Sequence, residues 1–304
     1  MANSPIVTSL PAYVDQNRDL LVSSSILGAT SAKLFTLQSG IKSSAALNIL
    51  TTAVKFGNGA ACGWDEAGTS TLSQRVLATG AIKINMAFCD KNLIGKWAEY
   101  QVRIAAGQKS LPFEEEFCQS VVTGVQEAVE KAIWQGDTAS ADVNLKRFDG
   151  MLKILGAENS VVKAAITKTS TKLAAVKQVL LAMPAKTLKD DAVIFCSPEF
   201  LREYGQELVE KNYFHYEAGK DYDEFPIPAS KVKLVAAGGL SGTNNLVAGR
   251  LSNMFYGCDL MDDTEKFDLW YSQDNREFRL AVEFNSGVQV AFPAEIVLGT
   301  IATA

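Results

Sequence analysis

The chain has 304 residues, 47% of them hydrophobic, and a formal net charge of −5. That is apolar material enough for one large domain or two. The acidic balance argues against a nucleic-acid binder, which would carry a basic surface. No apolar run reaches the length of a membrane span.

Residues 1–9 are uncharged and read as irregular. The start lacks the charged-then-apolar build of a signal peptide, so synthesis in the cytosol is expected. From Leu10 to Leu27 the residues Tyr13, Val14, Leu20, Leu21 and Ile26 predict a helix, begun near Pro11 and stopped near Gly28. A short strand is expected at 34–37. This arm has few apolar residues for its length and has to lie on another surface.

Residues 43–84 change character. SAALNILTTAVKF and QRVLATGAIKINMAF read as two antiparallel strands, the second alternating at Ile82, Ile84 and Met86. Between them lies a glycine-rich bridge with Gly57, Gly59, Gly63 and Gly68. Ten strand residues reach about 33 Å, and a lone two-stranded ribbon is marginal in water, so it implies a partner surface. Phe56 and Trp64 sit at its tip and are candidate assembly residues. A further helix is expected over 91–109, on Leu93, Ile94, Trp97, Tyr100, Val102 and Ile104.

The strongest single signal runs from Ser110 to Asp137. Pro112 suits a first helical position, and Glu114, Glu115 and Glu116 place negative charge where the helix dipole favours it. Phe113, Phe117, Val121, Val125, Ala128 and Ala132 make an apolar stripe that Val122, Val129 and Ile133 widen. Gly136 stands where a left-handed cap is expected. Gly124 costs about 1 kcal/mol against Ala in a helix interior, which implies close packing there. Glu130 is expected to tolerate replacement by Gln.

After a polar loop at 138–143, NLKRFDGMLKIL returns to apolar structure. Leu173, Val176, Leu180 and Met183 predict a helix over 169–183, ended by Pro184. AVIFC at 192–196 reads as a central strand, and Ser197-Pro198-Glu199 opens a helix to about Lys211 with an N-cap, a first-position proline and an early acid. Residues 212–230 read as a long loop. Strands are expected at 231–237, 245–249, 253–258, 267–272, 276–284 and 288–292, with SQDN and NSGV as hairpin turns. The overall class is α+β.

Catalytic constellations are not apparent. The one histidine, His215, lies among aromatic residues in the long loop. Cys62, Cys89, Cys118, Cys196 and Cys258 lack metal or redox spacing and are expected to be reduced, with Cys118 and Cys196 as small buried hydrophobes. There is no phosphate-loop or dinucleotide motif. Two acidic clusters, one with Glu217, Asp221, Asp223 and Glu224, the other with Asp259, Asp262, Asp263 and Glu265, read as solvated loops. No enzyme activity, cofactor or metal is expected.

The long helix runs into Ala132-Ile133-Trp134-Gln135-Gly136-Asp137, followed by Phe148-Asp149-Gly150-Met151. This passage resembles the exit of the spine helix in the major capsid proteins of tailed bacteriophages, the family of the Johnson (Hong Kong 97 phage) fold. IKSSAALNIL, CGW and LSQRVL resemble the family's extended E-loop, and NMFYGCD and FNSGVQVAFPAEIV its late strands. The resemblance implies an N-terminal arm at 1–42, an E-loop at 43–84, a P domain at 85–148 returning at 253–304, and an A domain at 149–252. It makes Trp134 and Asp137 assembly candidates beside Phe56 and Trp64. It also implies arms and E-loops lying across adjacent subunits in hexamers and pentamers of an icosahedral head. That head would be assembled in a host bacterial cytoplasm around double-stranded DNA held without sequence preference. Expected partners are identical subunits, with scaffolding, portal and decoration proteins. Since the chain starts at Met1 almost at the arm, a separate scaffolding protein is expected. The rival within this fold is an encapsulin, a bacterial shell around an enzyme cargo; the rival outside it is a soluble enzyme.

Overall fold

The computed structural model describes residues 5–56, 68–105, 113–167, 171–188, 191–211, 224–228, 230–259 and 266–302. Three short helices open the chain: α1 (Pro5–Gln16), α2 (Arg18–Leu27) and α3 (Thr30–Leu34). Then come β1 (Thr36–Gln38), β2 (Ser44–Ala53), β3 (Thr69–Ala78) and β4 (Gly80–Cys89). Helix α4 (Asp90–Ala105) precedes the 23-residue α5 (Phe113–Gln135). Helices and strands then alternate through α6 (Met151–Ala157), β5 (Val162–Ile166), α7 (Lys172–Ala182), β6 (Ala192–Cys196), α8 (Pro198–Glu210) and β7 (Glu224–Pro226). Strands close the chain: β8 (Lys233–Ala236), β9 (Asn245–Arg250), β10 (Met254–Cys258), β11 (Lys266–Ser272), β12 (Glu277–Val290) and β13 (Val297–Ile301).

These strands form two sheets and a ribbon. One sheet runs β1-β10-β12-β11, with β4 on the other edge of β12; the second runs β5-β13-β9-β6-β8-β7; β2 and β3 pair alone. The α+β class expected from the sequence is the class observed. Helix α5 is the element both sheets share. Its buried residues Val122, Val125, Val129 and Ile133 join one core with Tyr256, Phe267 and Phe278 of the first sheet and Phe195 and Val247 of the second. The opposite face of the second sheet is covered by α7 and α8 through Val176, Val179, Leu201 and Tyr204.

Local signals placed several elements well. Ser197 accepts a hydrogen bond from the Phe200 N–H and caps α8, and β6 is buried along its whole length between β9 and β8. Cys118, Cys196 and Cys258 are buried, and burial pushes the Cys118 and Cys196 thiols up to about 12.

Other expectations are corrected. Residues 5–9 are helical, and Pro11 lies inside α1 rather than at its start. The arm does need another surface, but it finds one on its own subunit: Leu10, Val14, Leu21, Ile26 and Phe35 pack into the core around α5. QRVLATGAIKINMAF is two strands, not one. It breaks at Thr79, so that β3 pairs with β2 and β4 with β12, and the free ribbon ends at 78 rather than 84. NSGV is no turn, because Ser286 and Gly287 stay extended and pair with Cys258 and Gly257. Strand β13 was not foreseen. It lies between β5 and β9, so the last residues return to the sheet of the 149–252 region, not to that of 253–292.

Candidate assembly site

The W-x-G-D and F-x-G passages meet at the end of α5. Trp134 is fully buried, with its ring 5.0 Å from that of Phe195 and 5.8 Å from that of Phe35. Its Nε1 donates to Ser31 Oγ at 2.7 Å and to Glu130 Oε1 at 3.2 Å. Ser31 in turn donates from its backbone N–H to Glu130 Oε2 at 2.9 Å and from its hydroxyl to Oε1 at 2.6 Å. Glu130 is therefore no solvent-facing residue. It is 6% exposed and holds the start of α3 against the spine helix through neutral donors.

Gly136 has no left-handed conformation, since the positive-φ glycines among the described residues are Gly40 and Gly242. Its small size serves close approach instead. A Cβ there would stand 2.6 Å from the Phe148 carbonyl oxygen and 2.9 Å from the Gly150 nitrogen. Beyond it, Lys153 Nζ bridges Asp137 and Asp149 at 2.7 Å each and reaches Thr138 Oγ1 at 3.0 Å. The hydrogen bond from Lys153, then one from the Ala139 N–H, holds Asp137 below the usual carboxylate range. At Asp149 burial pushes upward, but the bonds from Lys153 and Thr138 outweigh it and the carboxyl also lies low. Trp134 thus serves the inside of its subunit and offers no surface for a neighbour, whereas Asp137 is half-exposed in its pair with Lys153.

The ribbon gathers five exposed apolar side chains. Leu50 and Leu72 are direct cross-strand partners, both close to two-thirds exposed, and Val54, Val76 and Phe56 are exposed with them. On the face alternating with Leu50 and Leu72, Leu47, Ile49 and Leu77 are buried, as the strand period of two requires. Phe56 stands fully in solvent; Trp64, Cys62, His215 and most of both acidic clusters lie outside the described residues. Gly124 contradicts its expectation, for among the described residues a Cβ there would meet nothing within 4 Å. It lines an open groove of about 1130 Å³ between α5, β4 and α4, with Phe88, Phe117 and Val125.

Among the described residues no group of three or more His, Cys, Asp or Glu side chains could hold a metal ion, and no helix is long and apolar enough to cross a membrane. The sequence matches no family profile and no curated protein at a significant level. Solved structures do match. A chain of the satellite phage P4 procapsid that includes the size determination (Sid) protein superposes with a TM-score of 0.63 at 13% identity, over 94% of this chain and 91% of its own. The fold is that of the Hong Kong 97 type phage capsid proteins. A chain of Microbacterium phage Oxtober96 shares this Johnson fold with a TM-score of 0.56 at 13% identity, over 90% of this chain and 91% of its own. A virus-like particle from Pyrococcus furiosus gives 0.54 at 9% identity, over 94% and 98%.

Proposed function

We propose that this chain is the shell-forming subunit of a tailed-phage head, with a structural role and no chemistry of its own. The observation that carries the reading is the ribbon. Leu50, Leu72, Val54 and Phe56 present an apolar surface that no other described residue covers, and exposed apolar patches of this kind mark interaction sites. A second copy is the partner the Johnson fold supplies. On this reading copies close into hexamers and pentamers of an icosahedral particle around double-stranded DNA, in a host bacterial cytoplasm, with separate scaffolding, portal and decoration proteins. The net charge of −5 supports confinement of the genome rather than affinity for it, because phosphate contacts from Lys and Arg carry non-specific DNA binding.

Purification of the assembled particle from its natural source tests the reading. Double-stranded DNA inside closed shells agrees with it. An enzyme cargo without genome makes the chain an encapsulin, and a soluble monomer that turns over a substrate refutes both.

A further inference from the structure

The root of the ribbon is built to a tight specification. Leu77 is fully buried in a socket with Ile41 and Leu47, against Phe255. A Cβ on Gly257 would stand 2.9 Å from Leu77 Cδ2 and 3.0 Å from Ile41 Cδ1. A Cβ on Gly80 would strike the Arg147 carbonyl, and one on Gly287 the Ala78 carbonyl. Gln289 Nε2 donates to the Val76 carbonyl at 2.8 Å. One step further out, Arg75 donates to Glu158, at the end of α6, and to Gln289 Oε1 at 3.4 Å. Arg75 and Glu158 are both less than a third exposed and form an ion pair. Outward of Arg75 the side chains of β3 are exposed. Among the described residues the polar bonds there, Asn48 with Gln74 and Thr52 with Ser70, join the ribbon only to itself. Arg75 is thus the outermost polar tie between ribbon and body.

We propose that Arg75 is a positioning residue for assembly: it sets the angle of the ribbon and, through that angle, the curvature at which two copies meet. This rests on the shell reading above. A ten-residue ribbon is about 33 Å long, so a tilt of about 10° at its root moves its tip by about 6 Å. That is far beyond the tolerance of any contact the tip makes. Leu77 makes the pivot where the ribbon leaves the body, and Ile49, one cross-strand pair beyond Arg75 on the same face, is buried as well. The guanidinium, held at once by a carboxylate on α6 and an amide on β12, resists rotation about that pivot. Both bonds come from the one Nη2, so the tie is a single nitrogen shared between two acceptors.

Two measurements test this. In a Cys62→Ser, Cys89→Ser background, spin labels on Leu72→Cys and Asp274→Cys report the ribbon angle in the free subunit. One narrow distance is expected with Arg75, and a distribution at least twice as wide with Arg75→Ala. Glu158→Gln, which keeps Arg75 and the Leu77 socket, is expected to widen it likewise and stands in if Arg75→Ala does not fold. Particle diameters from electron micrographs then read the consequence. Wild type gives one size class, either single variant gives several classes or open sheets, and the charge exchange Arg75→Glu with Glu158→Arg restores a single class. Unchanged label distances overturn the positioning role. Changed distances with unchanged particle diameters overturn its link to curvature. Wild-type protein that forms no particles overturns the shell reading instead, while the label distances still judge the ribbon.

Discussion

Gly150 donates its backbone N–H to the carbonyl of Gly136 at 2.8 Å, and a Cβ on either residue would lie within 3 Å of the other's backbone nitrogen. The spine helix ends here because a second stretch of main chain occupies the space its next turn needs. Gly136→Ala is therefore expected to destabilise the subunit by about 1–3 kcal/mol through overpacking. Gly124→Ala is expected to do the reverse, stabilising by about 1 kcal/mol, since helix propensity improves and the new methyl meets nothing. Urea denaturation of the unassembled subunit measures both, and equal effects at the two glycines would contradict the distinction.

Glu130→Gln is expected to cost about 2 kcal/mol, the scale of hydrogen bonds to a charged group with a buried donor left over. One carboxylate oxygen faces the Ser31 N–H and the other the Ser31 hydroxyl and Trp134 Nε1. An amide nitrogen placed at either position meets a donor. Denaturant midpoints check the size, and hydrogen exchange at 29–35 should rise more than at α7.

The Asp137–Lys153–Asp149 cluster gives stability a sign with pH. Both carboxyls lie below their usual range in the folded chain, so the folded state binds their protons less readily than the unfolded state. Their contribution is complete above the unfolded value of about 3.9 and is lost as pH falls through the lower folded values. Acid unfolding below about pH 4 should therefore become shallower in Lys153→Met. An unchanged slope would show that the cluster plays no part.

How much of this was legible depends on distance along the chain. The α8 start was readable because Ser197, Pro198 and Phe200 settle it among themselves. The spine helix was readable because its stripe repeats over 23 residues. Glu130 was misread because its partner Ser31 lies 99 positions away, and nothing near Glu130 announces a buried carboxylate. Gly136 was rightly marked as special but for the wrong reason, since the carbonyl of Phe148 that excludes a side chain belongs to another segment. NSGV carries the residues of a turn, and pairing with β10 on one side and β4 on the other keeps it straight. The alternation at Ile82, Ile84 and Met86 belongs to β4, and nothing local showed that on the ribbon Leu47 and Leu77 would be anchored while Leu50 and Leu72 stay free.

Proteolysis distinguishes the anchored from the free part of the ribbon. Lys55 is exposed beside Phe56, whereas Arg75 is tied to Glu158 and Gln289. Trypsin should cut after Lys55 in the unassembled subunit at least ten times faster than after Arg75. In particles the Lys55 cut should slow to the rate at Arg75. Equal rates at Lys55 in both states would mean that no neighbour covers the ribbon.

Cryo-electron microscopy of the expressed protein shows directly whether its copies close into a shell. Closed icosahedral shells are expected, with Leu50, Leu72 and Phe56 of one copy buried against another while Trp134 remains inside its own subunit. A monomer at high concentration, with those three side chains still in solvent, would contradict it.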